Sequence, residues 1–255
     1  MTVTGVVKEL KPGIERQKYP TLQDVEVCVY EHPQTPCVKT SSAGTYSMCG
    51  VPANSELLLS FKKDGYAQAL RMLSTRQEDY AILAETVLGS IDYGVSQLKH
   101  FDYTAADVSG GAIQFFAANP ANGVLQVATL EGYTAKLENV DGTQAICAIK
   151  GGTSACRPVY LDDTGTADPT LTKSSHWGVG AFGNVPAGKY VLRITHPTLV
   201  CNQHLPESGW KAKDADSVLV ESVTDWITAQ TGVFCQEPDN GSDAGSAAGA
   251  DAGAN

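Results

Sequence analysis

The chain reads as mainly β: two β-domains joined by a short helical connector and followed by a flexible C-terminal tail. Three features predict this. A motif of fifteen residues occurs twice, 134 residues apart, as KTSSAGTYSMCGVPA at 39–53 and KSSHWGVGAFGNVPA at 173–187, with six identical positions and no gap. Self-similarity carried by turn residues and strand ends marks one small β-unit built twice. Most apolar segments alternate at period two between Gly, Pro and Ser clusters. One stretch, 74–105, takes helical spacing instead.

The first β-domain is expected over 1–73. TVTGVV and DVEVCVY alternate, and TYSMC and ELLLSF follow. In DVEVCVY, Val25, Val27 and Val29 share one face while Asp24, Glu26, Cys28 and Tyr30 take the other. The repeated motif ends in Val51-Pro52-Ala53-Asn54 and Val185-Pro186-Ala187-Gly188. Proline starts such a turn with its fixed φ, and Asn or Gly tolerates the positive φ that closes it. With a gap of one residue after the turn, Leu57, Leu59 and Phe61 align with Tyr190, Leu192 and Ile194 as inward sets, and Ser60 meets Arg193 among the outward ones. The connector is expected over 74–106: TRQEDYAILAETVL places Tyr80, Leu83, Val87 and Leu88 on one stripe, with Gly89 and Ser90 as its stop and VSQLKHF as a further turn. The second β-domain, 107–238, begins at GGAIQFFAAN and continues through GYTAKLENV, QAICAIK, PVYL, GAFGNV, KYVLRI, DSVLVESV and GVFC. The stretch 239–255, rich in Ala, Gly, Asp and Ser, holds too little apolar material for a core and reads as a disordered tail.

The formal net charge is −10, and no Lys or Arg follows Lys213. That surface excludes nucleic acid, whose phosphates require a basic face, and a polybasic membrane dock. No run reaches the ~18 apolar residues of a membrane span, and Met1 leads into a strand pattern rather than a signal segment. Seven cysteines lack metal-ligand spacing. Cys28/Cys37 and Cys147/Cys156 share the same separation, each across a turn, while Cys201 follows one strand and Cys235 closes the last. The pattern reads as disulfides in an oxidising compartment, with one thiol left over among Cys28, Cys37 and Cys49. The expected location is extracellular or on the cell surface.

The pattern T-x-x-x-G-x-[YF]-x-[LM]-x-x-[VL]-P-x-[GN], followed by an alternating strand and Gly-Tyr, resembles the carboxypeptidase regulatory-like family of transthyretin-like (prealbumin-type) β-sandwiches. The first copy supplies Thr40, Gly44, Tyr46, Met48, Val51, Pro52, Asn54, Gly65 and Tyr66. The second supplies Ser174, Gly178, Phe182, Val185, Pro186, Gly188 and Tyr190, with Gly180 where an aromatic is usual. The resemblance implies two Greek-key (transthyretin/Ig-like) sandwiches acting as non-enzymatic accessory modules, with no catalytic residues to carry over. It fits a secreted or cell-surface protein with a structural, adhesive or binding role, whose partner is an envelope or extracellular protein or a glycan.

Other chemistries have sparser support. Asp162, Asp163 and Asp168 in YLDDTGTADP bring closely spaced carboxylates of the kind Ca²⁺ prefers, without the Asp-x-Asp-x-Asp-Gly order; no other cofactor is expected. Trp177, Trp210 and Trp226 offer aromatic faces for sugar rings, and Trp177 is the exposed candidate because it stands where the first copy has Ala43. That reading makes the chain a carbohydrate-binding accessory module of a larger secreted enzyme. Tyr160, Tyr190, His176, His196 and His204 are the residue types of a Tyr/His iron site like that of intradiol dioxygenases, but the arginine-rich signature of that family is missing. The Tyr-Arg-Gly-Ser-type ending of transthyretin-like hydroxyisourate hydrolases is missing too. No Gly-x-Ser-x-Gly elbow, phosphate loop or His-Glu-x-x-His occurs, so the sequence reads as non-enzymatic.

Overall fold

The computed structural model describes residues 1–14, 18–82, 85–98, 100, 110–120, 127–202, 217–229 and 233–238. Trp210, His204 and the 239–255 tail lie outside the described residues. The first half contains β1 (Val3–Glu9), β2 (Glu26–Val29), β3 (Val38–Lys39), β4 (Thr45–Met48), β5 (Glu56–Lys62), β6 (Ala69–Ser74), β7 (Tyr80–Ala81) and β8 (Thr86–Leu88). Helix α1 (Ile91–Leu98) follows. The second half contains β9 (Gly111–Pro120), β10 (Val127–Thr129), β11 (Thr134–Asn139), β12 (Ile146–Ile149), β13 (Gly152–Ala155), β14 (Val159–Leu161), β15 (Ala167–Asp168), β16 (Val179–Val185), β17 (Gly188–Thr195), β18 (Val200–Asn202), β19 (Ser217–Ser222), β20 (Ile227–Ala229) and β21 (Val233–Gln236).

Each half is a sandwich. In the first, β1 lies between antiparallel β4 and parallel β7 and β8. Val3, Val7, Met48 and Leu88 from that layer meet Val27, Leu59, Phe61 and Leu73 from β2, β5 and β6 in one core. In the second, the β11-β17-β19 layer sets Leu137, Leu192, Ile194 and Val220 against Ile113, Phe115, Tyr160 and Phe182. Edge-to-face contacts link Phe115 with Tyr133 and Tyr160 at centroid distances of 6.2 Å, the arrangement aromatic quadrupoles favour.

The halves share a sheet. β20 pairs in parallel with β6 on one side and β9 on the other, which makes a single 12-stranded sheet. As a result β5 and β6 are buried on both faces. Leu57, Leu59, Phe61, Ala69 and Leu73 face the first core, while the alternating Leu58, Leu70 and Met72 face the second. Ser60, expected to point outward, is 5% exposed for this reason: the outward face of β5 is covered.

The helix expected over TRQEDYAILAETVL does not form, because the stretch supplies strands β7 and β8 instead. The exposed edge of β1 carries backbone groups that need partners, and Tyr80 and Ile82 donate their N–H groups to the Thr2 and Thr4 carbonyls at 2.8 Å. Four apolar residues at helical spacing are too few to outweigh that demand. Ser90, read as a stop, is the N-cap of the following helix, its hydroxyl accepting from Tyr93 N at 3.2 Å.

The repeat resolves into matched hydrogen bonds. Thr40 Oγ1 accepts from Val25 N and donates to Leu22 O; Ser174 Oγ accepts from Tyr133 N and donates to Leu130 O. Ser41 and Ser175 hydroxyls each accept from the backbone N–H two residues on, both at 3.2 Å. Gly44 and Gly178 then take φ of 71° and 56°. At the second turn the Pro52 carbonyl is held by Thr75 Oγ1 at 2.8 Å and the Pro186 carbonyl by Tyr190 Oη at 2.9 Å. Asn54 and Gly188 close it at positive φ (50° and 153°). Gly180, where an aromatic is usual, is explained by its neighbours: a Cβ there would lie 2.7 Å from the Phe115 ring. Phe115 already fills that space.

Candidate functional site

The copies of the repeated turn diverge at its tip, where Ser42 and Ala43 give way to His176 and Trp177. In the second copy the tip reaches across to the turn between β14 and β15, so two features read separately in the sequence, the acidic loop and Trp177, become one surface. His176 Nδ1 lies 2.7 Å from Asp163 Oδ1, and both side chains are well exposed. Trp177 Nε1 donates to the Asp163 carbonyl at 3.1 Å. Its ring lies against Gly165, where an added Cβ would sit 3.4 Å from the indole. Gly165 has φ of 79°. Helix α1 braces the same turn: Tyr93 Oη donates to Gly165 O at 2.9 Å and Gln97 Oε1 accepts from Ala167 N at 2.8 Å. Burial pushes the Tyr93 phenol up to about 12.

The three aspartates do not converge. Asp162 Oδ1 accepts from Thr164 N, Thr164 Oγ1 and Thr166 N. Burial pushes this carboxyl up, but those hydrogen bonds prevail and hold it below its ordinary range. Asp168 Oδ1 accepts from Thr170 N and Oγ1 in a turn of its own, and Asp163 faces His176. Among the described residues no group of three His, Cys, Asp or Glu side chains is placed to hold a metal ion. Of the residue types of an iron site, His176 faces Asp163, while Tyr160, Tyr190 and His196 are dispersed into backbone bonds. Tyr160 Oη accepts from Ala135 N, Tyr190 Oη holds Pro186 O, and His196 Nδ1 accepts from Thr198 N and Leu199 N. Trp226 is a packing residue, with Tyr30 edge-on at 5.6 Å and Lys62 Nζ 5.0 Å above its ring.

Six cysteines form Cys28–Cys37, Cys147–Cys156 and Cys201–Cys235. The leftover thiol is Cys49, exposed just after β4. The first two bridges staple a turn and a hairpin; the third joins facing positions of β18 and β21. Spacing had left the choice among Cys28, Cys37 and Cys49 open. The structure pairs Cys28 with Cys37 and leaves Cys49 as the exposed thiol.

No protein-family model matches the chain, and no curated protein matches it. Among solved structures, it is similar to the Bacillus anthracis TIE protein at 13% identity and TM-score 0.29, over 92% of this chain and 34% of that one. It is also similar to GBS52, the minor pilin of Streptococcus agalactiae, at 11% identity and TM-score 0.28, over 93% of this chain and 96% of that one. The shaft pilin spaA from Lactobacillus rhamnosus GG matches at 12% identity and TM-score 0.28, over 93% and 97%. The chain thus spans about a third of the length of the TIE protein. Likeness at this level carries no argument about what the chain does.

Proposed function

We propose that the chain is a non-catalytic tandem β-sandwich of the carboxypeptidase regulatory-like type, working outside the reducing cytosol as a structural or adhesive module that binds an envelope or extracellular protein or a glycan. The observation that carries this reading is the set of three disulfides, which persist in oxidising compartments. The commitment of the Tyr160 and Tyr190 hydroxyls and of the His196 imidazole to backbone groups adds support, since a catalytic base needs a free site to receive a proton. Non-reducing peptide mapping tests it: recovery of the three linked pairs with Cys49 free is expected, and seven free thiols in protein from its native source would overturn the location.

A second reading, carbohydrate recognition, is favoured by the meeting of Asp163, His176 and Trp177. One face of the indole is backed by Gly165, so a sugar ring would stack on the other, with Asp163 and His176 beside it. Glycan binding that falls at least about tenfold in Trp177→Ala, matching the loss of a stacking contact, supports this; binding unchanged in that variant removes it. Asp162 and Asp168 accept from the threonines of their own turns and Asp163 faces His176, so Ca²⁺ should leave the melting temperature unmoved relative to chelator.

A further inference from the structure

We infer that the chain is built to carry tension along its length, each half acting as a shear clamp; the inference rests on the structural role proposed above. Both halves open with a strand that pairs in parallel with the strands that close that half. In the first half Val3 and Thr4 face Tyr80 and Ala81, and Val7, Lys8 and Glu9 face Thr86, Val87 and Leu88. In the second, Ala112, Ile113 and Gln114 face Ile227, Thr228 and Ala229, and Ala117 and Ala118 face Val233 and Phe234. In each half the closing partner comes in two pieces along one opening strand.

The mechanical consequence follows from direction. Parallel partners put the start of the first strand and the end of the last at opposite ends of their ladder. A pull entering at Met1 and passing on beyond Leu88 slides β1 and β8 along their common axis, so the hydrogen bonds are loaded together. A pull entering at Gly111 and leaving beyond Gln236 does the same to β9 and β21. An antiparallel pair pulled at adjacent ends opens one bond at a time. The bonds in line include Tyr80 N to Thr2 O, Ile82 N to Thr4 O, Leu10 N to Leu88 O and Ala112 N to Trp226 O, all 2.8–2.9 Å. Lys8 and Glu85 add an ion pair at 2.7 Å beside the first clamp.

Two further features secure the second clamp. Cys201–Cys235 bolts β21 to β18, so the last strand cannot slide without its neighbour. β20 is also held from its other edge by β6, through Ala69, Leu70 and Arg71, so load on the second half is shared with the first.

The native thiol supplies the control. Val3 faces Met48 in the antiparallel β1–β4 pair, so Met1 and Cys49 lie at the same end of that pair, and pulling between them peels it. Single-molecule force measurements on the whole oxidised chain, held at its two ends or at the N-terminus and Cys49, compare the two directions in one unaltered protein. End-to-end rupture at roughly threefold or more the peeling force, at equal loading rate, is expected because forced unfolding follows the barrier along the pulled direction. Equal forces, or a lower end-to-end force, would overturn the clamp. That result would leave the reading of a disulfide-bonded surface module intact, since the latter depends on the linked pairs alone.

Discussion

Thr228 offers a test of how the halves are joined. It is fully buried on β20, with Leu70 of β6 and Ile113 of β9 as its register partners, and both of these belong to the second core. Among the described residues its Oγ1 has no hydrogen-bond partner. A buried hydroxyl without a partner costs about 1–3 kcal/mol. Thr228→Val replaces it with a methyl group of nearly the same size in a β-branched side chain that suits a strand. The expected gain is about 1–2 kcal/mol, or a rise in melting temperature of roughly 2–8 °C for a chain of this size. Thermal and denaturant unfolding measure it, with Thr228→Ala as the counterpart that removes a methyl group and loses stability. Because β20 is paired on both edges, the gain should appear in one transition that includes both halves. A Val variant less stable by about 1 kcal/mol would refute the reasoning, since it would mean that the hydroxyl is satisfied in the folded chain.

Other outcomes are expected from the same structure. Replacing each disulfide by a Ser pair should cost in order of the loop closed: about 3.8 kcal/mol for the 34-residue separation of Cys201–Cys235 against about 2.6 for each 9-residue one, read by chemical denaturation; equal losses would discard loop entropy as the cause. Gly180→Ala drives a Cβ to 2.7 Å from the buried Phe115 ring and should destabilise by about 1–3 kcal/mol, whereas the same change at Gly151, with open space around it but φ of 80°, should cost only about 1 kcal/mol of backbone strain. Burial pushes the phenols of Tyr46 and Tyr160 up to about 12, and Tyr133 well above its ordinary value. A folded-state value raised above the unfolded one gives stability that is complete below about pH 10 and lost as pH climbs toward 12. Tyrosinate absorbance rising together with loss of β-sheet circular dichroism checks this; full ionisation at pH 10–11 in a folded chain would contradict it.

Much of the fold was legible because its punctuation is local. The Ser41 and Ser175 hydroxyls accepting from the N–H two residues on, the positive φ of Gly44, Gly178 and Asn54, and the Pro52 and Pro186 turns act within a few residues, so spacing alone reveals them; the Thr40 and Ser174 hydroxyls instead reach segments 15 to 44 residues earlier. The paired nine-residue cysteine separations are local in the same way. What escaped was set by distant partners. β7 and β8 are strands because β1 offers them an edge, and Ser60 is buried because a second core lies behind β5. The joining of the two halves through β20 involves Ile227–Ala229, a short segment with no pattern of its own. The candidate surface was half legible: Trp177 and the aspartates stood out by composition, but the His176–Asp163 contact and the bracing by Tyr93 and Gln97 depend on loops brought together by β14, β16 and α1. The terminal parallel pairings left no trace in the repeat, which covers β4, β16 and the turns that flank them.

The two-faced burial of β5 and β6 bears on how the chain can be handled. A fragment ending near Leu98 would keep every strand of the first sandwich, yet it would leave the outer edge of β6 unpaired beside Leu58, Leu70 and Met72 in water. An open strand edge flanked by an apolar face is a template for pairing with further copies. Cutting the protein at its apparent joint would therefore yield a sticky half that assembles with itself, rather than an independent module.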